Sequence, residues 1–302
     1  MKYLLRTDGL GKVPEIEITK KEYDEFEKAQ NILSNALEIE EIYEIVIVNY
    51  LDFEKQISNS IADYMVRGNI DYSSFFYTRL GLNIRLLNLL SAARLYIDKI
   101  KQSVPECVPK VTDAEEIVVK FLNKEWDENK DYRFMGALRD YGQHRGIPVH
   151  WTQQGGRWTS LEDDGLMEYY MELGSQYSYL KDDRKFKKKV LAESSEKIDL
   201  KAATRSYVES ISCIHESVRA MINESITLAR KLIEDAHHRY EAVYKDSQAG
   251  LSASKCSDKK QISTIPLLLE WDNIRVELQK RNRKLINLRK RYITGTIKIH
   301  NK

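Results

Sequence analysis

The sequence predicts a mainly α-helical protein: a helical bundle with one short β-hairpin inserted late and small β elements at the termini. Three observations carry that prediction. Proline and glycine are scarce, 5 and 13 in 302 residues, which disfavours a many-turned β architecture. Apolar residues recur at three- and four-residue spacing over long stretches. Hydrophobic content of 42% beside 31% charged residues suits helices with one buried and one solvated face.

Residues 1–19 hold two short alternating runs, Tyr3-Leu-Leu5 and Ile16-Glu-Ile18, around a turn containing Gly9 and Gly11, and read as a hairpin or extended arm. A helix is expected from about Lys20 to Leu37, with Tyr23, Phe26, Ile32 and Leu33 on its apolar side. A second runs from Ile39 to about Val66, on Ile42, Ile45, Val46, Leu51, Phe53 and Ile57, and Arg67-Gly68-Asn69 ends it. A third, from about Ser73 to Ile100, directs Phe76, Leu80, Leu82, Ile84, Leu90 and Leu95 to the core. Two such antiparallel helices make the centre of a bundle. Pro105 and Pro109 then break the chain in a loop, and Thr112-Asp113 caps a helix through Val118, Leu122 and Trp126.

The next helix carries the chemistry. Asn129-Lys-Asp131 offers a cap, Phe134, Leu138 and Tyr141 give one buried stripe, and Gly146 then Pro148 stop it. It presents Arg139, Asp140, Gln143 and His144. Arginine brings a permanent planar cation that fits phosphate oxygens. Histidine moves a proton near neutral pH. The pair suits RNA cleavage without a metal: the imidazole handles the 2′-hydroxyl or the leaving oxygen, and the guanidinium offsets charge on the phosphorane. Asp140 and His144 are four apart, so the carboxylate reaches the ring; Arg139 and Gln143 form a second such pair. Arg139 and His144 lie roughly 140° apart around the helix, so one copy gives a loose site and two copies across a two-fold axis a tighter one. The competing reading is a histidine that merely complements the helix dipole.

After the motif, Val149–Thr159 reads as a two-stranded hairpin turning at Gly155-Gly156. Its His150, Trp151, Arg157 and Trp158 either stack on bases and grip phosphate or cover the bundle. Residues 161–180, rich in tyrosine, are left unassigned. The basic run Lys181–Lys189 is a solvated loop or a contact to an RNA backbone. A long helix from about Asp199 to Lys245 follows, with His215, His237 and His238 as structural or surface residues. Four segments result: 1–37, arm and acidic helix; 38–246, bundle with the hairpin near 149–160; 247–264, linker; 265–302, basic tail. The tail binds RNA, docks on an acidic partner, or packs on the acidic N-terminal helix of its own chain; Ile293–Ile299 alternates like a strand and is matched to the N-terminal arm.

A net charge of +2 argues against a dedicated nucleic-acid coat. Cys107, Cys213 and Cys256 read as free thiols of a reducing cytoplasm, neither a disulfide frame nor a zinc site. No signal peptide, membrane span, metal or cofactor is expected, and the expected location is cytoplasmic.

Arg139-Asp-Tyr-Gly-Gln-His144 resembles the signature of the HEPN family: an arginine, a polar residue after it, and a histidine after four to six intervening residues. The stretch Leu138–Val149, ending Gly-Ile-Pro-Val, looks like bacterial members of that group. The resemblance covers the motif strictly and the helices from about residue 38 to 146 loosely. It implies a small helical bundle with the motif on a late helix. It also implies a metal-independent endoribonuclease, acting as a homodimer whose two motifs line one cleft, in phage defence or toxin–antitoxin regulation. RNA is then the substrate and an antitoxin or regulatory protein a partner. Arg139 stabilises the scissile phosphate, His144 serves as acid or base, Asp140 orients His144, and Gln143, Arg145, Trp151 and Arg157 are candidate RNA contacts. Some family members are inactive scaffolds, so the alternative is a non-catalytic binding module or an RNA-binding accessory protein gripping through the basic tail.

Overall fold

The computed structural model describes residues 1–7, 14–68, 71–160, 165–244, 250–257 and 260–293. In chain order it contains β1 (Lys2–Thr7), β2 (Glu15–Ile18), α1 (Lys20–Arg67), α2 (Tyr72–Cys107), α3 (Ala114–Glu128), α4 (Lys130–His144), β3 (Trp151–Trp158), β4 (Met167–Gln176), α5 (Tyr177–Asp182), α6 (Lys188–Ala192), β5 (Lys197–Asp199), α7 (Leu200–Val243), β6 (Leu251–Ser257), β7 (Lys260–Pro266) and α8 (Glu270–Arg281). The protein is mainly helical with two small antiparallel sheets, as its composition requires. No helix among the described residues is long and apolar enough to cross a membrane.

Two helix boundaries differ from the sequence reading. α1 runs unbroken through Leu37–Ile39, because no Gly or Pro interrupts residues 20–67; Gly68, at φ 65°, then ends it. α2 absorbs Pro105 within its last turn instead of stopping before it. The chain forms two compact units, Met1–Ile45 with Leu95–Phe121 and Glu216–Arg283, and Val46–Arg94 with Leu122–His215 and Lys284–Lys302.

In the first unit, Thr19 and Glu22 close a reciprocal cap on α1: the Thr19 N–H donates to the Glu22 carboxylate at 2.7 Å and the Glu22 N–H to the Thr19 hydroxyl at 3.1 Å. Arg239 pairs with Glu22 and Arg219 grips Glu40 with two hydrogen bonds, so α1 and α7 run antiparallel here. The sheet order is β2-β1-β6-β7, and Leu5, Ala253 and Ile265 form one buried row across it. β1 and β2 thus realise the expected N-terminal hairpin, whereas the Gly9–Gly11 turn lies outside the described residues. The segment 247–264, read as a linker, instead supplies strands β6 and β7. Its serines are not loop-formers here: Ser252 and Ser254 are buried and bonded to the Arg6 carbonyl and Thr264. The basic tail also folds. Arg275 is buried against Asp272, which Arg230 clamps as well, and Arg281 and Asn282 reach Glu44 of α1. Those last contacts match the option of packing on the chain's own acidic helix. The C-terminal strand expected at 293–299 lies, Ile293 apart, outside the described residues.

In the second unit, β3, β4 and β5 form an antiparallel sheet. Gly155 and Gly156 do not turn a hairpin; they lie inside β3, opposite Tyr170 and Tyr169 of β4. The physical reason is space. A Cβ on Gly155 would sit 2.6 Å from the Tyr170 hydroxyl, so glycine admits the ring. The tyrosine-rich stretch left unassigned therefore supplies β4 and α5. Arg205 of α7 holds Glu54 of α1 with two hydrogen bonds of 2.7 Å. Leu82 and Leu90 of α2 are buried as expected, with Leu86 and Leu89 beside them, but Phe76, Leu80, Ile84 and Leu95 are not: they remain 42%, 39%, 46% and 46% exposed.

Candidate functional site

α4 forms as its sequence dictates. The Asn129 side chain accepts from the Asp131 and Tyr132 N–H groups, and its amide donates to Ser206 and Ser210 of α7. Phe134, Leu138 and Tyr141 are buried. Gly142 lets the helix approach α2 closely, since a Cβ there would lie 2.5 Å from a Leu87 methyl. The helix ends at His144, and the Arg145 N–H bonds back to the Tyr141 carbonyl.

The motif residues fall into two kinds. Arg139 is half-buried, with its Nη1 donating to Asp140 at 3.0 Å and its Nε buried without a hydrogen-bond partner. It is also felt by the core: burial drives the Tyr207 hydroxyl far above its usual value, Tyr132 adds to this, and Arg94 and Arg139 pull it back. Gln143 and His144 are exposed. Asp140 was expected to orient His144; among the described residues it pairs with Arg139 instead. Both choices are open to a helical carboxylate, and the arginine is the partner whose charge is permanent. One copy therefore presents an arginine and a histidine on neighbouring strips of a helix, not a closed pair.

The other expected RNA contacts are engaged within the chain. Arg145 Nε lies 2.8 Å from the Asp183 carboxylate, and its guanidinium sits over the Tyr141 ring. Arg157 lies at the far end of β3 and pairs with Glu168 at 2.8 Å. Trp151 is half-buried over Gly174, where a Cβ would meet its ring at 2.5 Å, and Lys197 stands over its face. The basic run is held through its backbone, where Asp183 caps the Lys185 and Phe186 N–H groups, while Arg184, Lys185, Lys188 and Lys189 keep exposed side chains and Lys187 lies over Trp126.

What the sequence reading missed is the framework behind the helix end. Asn83, buried in α2, donates to the Val149 carbonyl at 3.1 Å and accepts from the Val149 N–H at 2.8 Å. Ser175 donates to the Pro148 carbonyl at 2.6 Å, and Arg79 to that of His150 at 3.3 Å. Three consecutive residues after the motif are thus fixed through their backbone. His150 is held further: its Nδ1 accepts the Gln176 N–H at 2.9 Å, and burial lowers its pKa, with the Ile147 backbone opposing and Arg79 assisting. Asn83, set between the apolar Leu82 and Ile84, was the sequence signal for this clamp.

Among the described residues no group of three or more His, Cys, Asp or Glu side chains is placed to hold a metal ion. No family model, no curated protein and no solved structure matches this chain.

Proposed function

We propose that the chain is an endoribonuclease of HEPN type that cleaves RNA by attack of the ribose 2′-hydroxyl in a site shared by two copies. The observation that carries this reading is the bare apolar stripe beside the motif helix. Tyr77, Leu80 and Ile84 of α2 are 69%, 39% and 46% exposed, and Leu87, next in the same three-and-four spacing, touches α4 at Gly142. Spacing of this kind is what a helix presents to a like helix, and a second copy seated there lies next to the second motif.

In that site Arg139 neutralises the scissile phosphate. His144 of one copy takes the 2′-hydroxyl proton while His144 of the other protonates the departing 5′-oxygen. The new O–P bond leaves a 2′,3′-cyclic phosphate and a 5′-hydroxyl end. Its setting, phage defence or toxin–antitoxin control with a protein inhibitor, belongs to the same reading. The pairing of Arg139 Nη1 with Asp140 favours the alternative, a helical binding module in which part of the guanidinium is already engaged within the chain. Incubation with RNA in excess chelator separates the two. Cleavage by the wild type that disappears in Arg139→Ala and His144→Ala supports the nuclease; equal cleavage by all three assigns the cutting to a contaminant.

A further inference from the structure

We propose that Tyr179 is the base-stacking residue of this same site, receiving an unpaired base of single-stranded RNA beside the scissile phosphate; the inference rests on the ribonuclease reading. Of the two tryptophans that the sequence offers for this task, Trp151 is packed against Gly174, and Trp158, though exposed, lies at the far end of β3. Tyr179 is the reverse: 58% exposed, on a helix of six residues whose next side chain, Leu180, is fully buried.

Its position relative to the motif is fixed by a ladder of rings. Tyr141 lies one turn before His144 on α4 and stands edge-on to His150 at 5.9 Å between centroids. His150 in turn stands edge-on to Tyr179 at 5.0 Å. The middle ring cannot turn freely, because its Nδ1 holds the Gln176 N–H and its backbone carbonyl accepts from Arg79. A second tether joins the same two helix ends: Arg145, the residue after His144, pairs with Asp183, the residue after α5. The consequence is an open aromatic ring held rigidly at the end of the helix that carries His144. A rigid ring with two rotatable torsions loses little entropy on contact, and every nucleobase has a face to lay on it. Duplex RNA keeps its bases stacked on one another and offers none. The site therefore selects single strands, loops or bulges without reading a sequence through hydrogen bonds.

The test uses the full chain carrying His144→Ala, so that RNA is bound and not cut, with affinity read by fluorescence anisotropy on a short single-stranded RNA. Tyr179→Ala should weaken binding about tenfold, within the usual range for one stacked base, while Tyr179→Phe and Tyr179→Trp retain it. Replacing one nucleotide beside the cut link by an abasic unit should weaken the Tyr179 protein by the same factor and the Tyr179→Ala protein no further. That non-additivity is a readout that a merely structural tyrosine does not give, and the abasic arm needs no substitution at Tyr179 to fold. Equal affinity of Tyr179→Ala and Tyr179 proteins, with RNA still cut in an Arg139-dependent way by the chain that keeps His144, overturns this inference alone. RNA neither bound nor cut overturns the ribonuclease reading and this inference with it.

Discussion

Asp140 accepts a hydrogen bond from Arg139 Nη1 at 3.0 Å, and so occupies the place on the guanidinium that a phosphate oxygen would take. The two carry 45% and 24% side-chain exposure, so the pair is solvent-screened and weak, at most about 1 kcal/mol. Asp140→Asn removes the competing charge. It is expected to tighten RNA binding by up to about fivefold, read as a lower KM with kcat unchanged. A variant as dead as Arg139→Ala would return to Asp140 the catalytic role that its position beside the arginine does not require.

The Asn83 clamp makes a stability prediction. Asn83→Ala leaves the Val149 N–H and carbonyl buried and unpaired, at a cost of about 2 to 3 kcal/mol for such groups. Chemical denaturation should show that loss with an unchanged slope. A loss below about 0.5 kcal/mol would mean that water reaches Val149 and that the clamp does not hold the backbone.

His150 makes a pH prediction. Burial lowers its pKa from the ordinary 6.5, so below that pH the unfolded chain takes up a proton that the folded chain refuses. Its contribution to stability is complete above pH 6.5 and is lost as the pH falls below it. Asparagine keeps an acceptor near the Nδ1 position and carries no titration. His150→Asn should therefore flatten the fall in melting temperature between pH 7 and about pH 5. Parallel curves for the two proteins would place the acid-labile group elsewhere.

The exposed stripe makes a prediction about assembly. Leu80→Glu with Ile84→Glu puts two carboxylates where two copies would meet, at little cost to the fold because both positions are already open. Sedimentation should show dimer for the wild type and monomer for the variant, and cleavage should fall with the dimer. A monomeric wild type that still cuts RNA would dismiss the shared site.

Local signals in the sequence were reliable wherever one residue type has one local use. Asn129 capped α4, Phe134, Leu138 and Tyr141 faced inward, and Tyr3–Leu5 with Ile16–Ile18 paired as strands. The failures arose where a residue type has two uses and a distant partner decides. Gly155-Gly156 is good turn chemistry, yet these glycines make room for tyrosine rings in β4. The serines of 251–257 suggest a loop until β1 and β7 pair with their backbone. Apolar spacing in α2 marked Leu80 and Ile84 as core because periodicity shows which residues share a face and not whether that face is covered. At the site, the helix that carries Arg139 and His144 and its Asn129 cap were legible; the ion pair of Arg145 with Asp183, thirty-eight residues on, had no local trace.

α2 serves two clients within two turns. Arg79 and Asn83 hold the carbonyls and amide that follow the motif, while Leu80 and Ile84 look outward, 39% and 46% exposed among the described residues. Whatever settles on the outer residues thus leans on the same rod that sets the spacing of the inner ones. For the proposed ribonuclease, joining two copies through this helix and loading RNA across them would form one linked equilibrium, each event strengthening the other by the same factor. On dilution below the point where copies part, the total cleavage rate should then fall with the square of protein concentration.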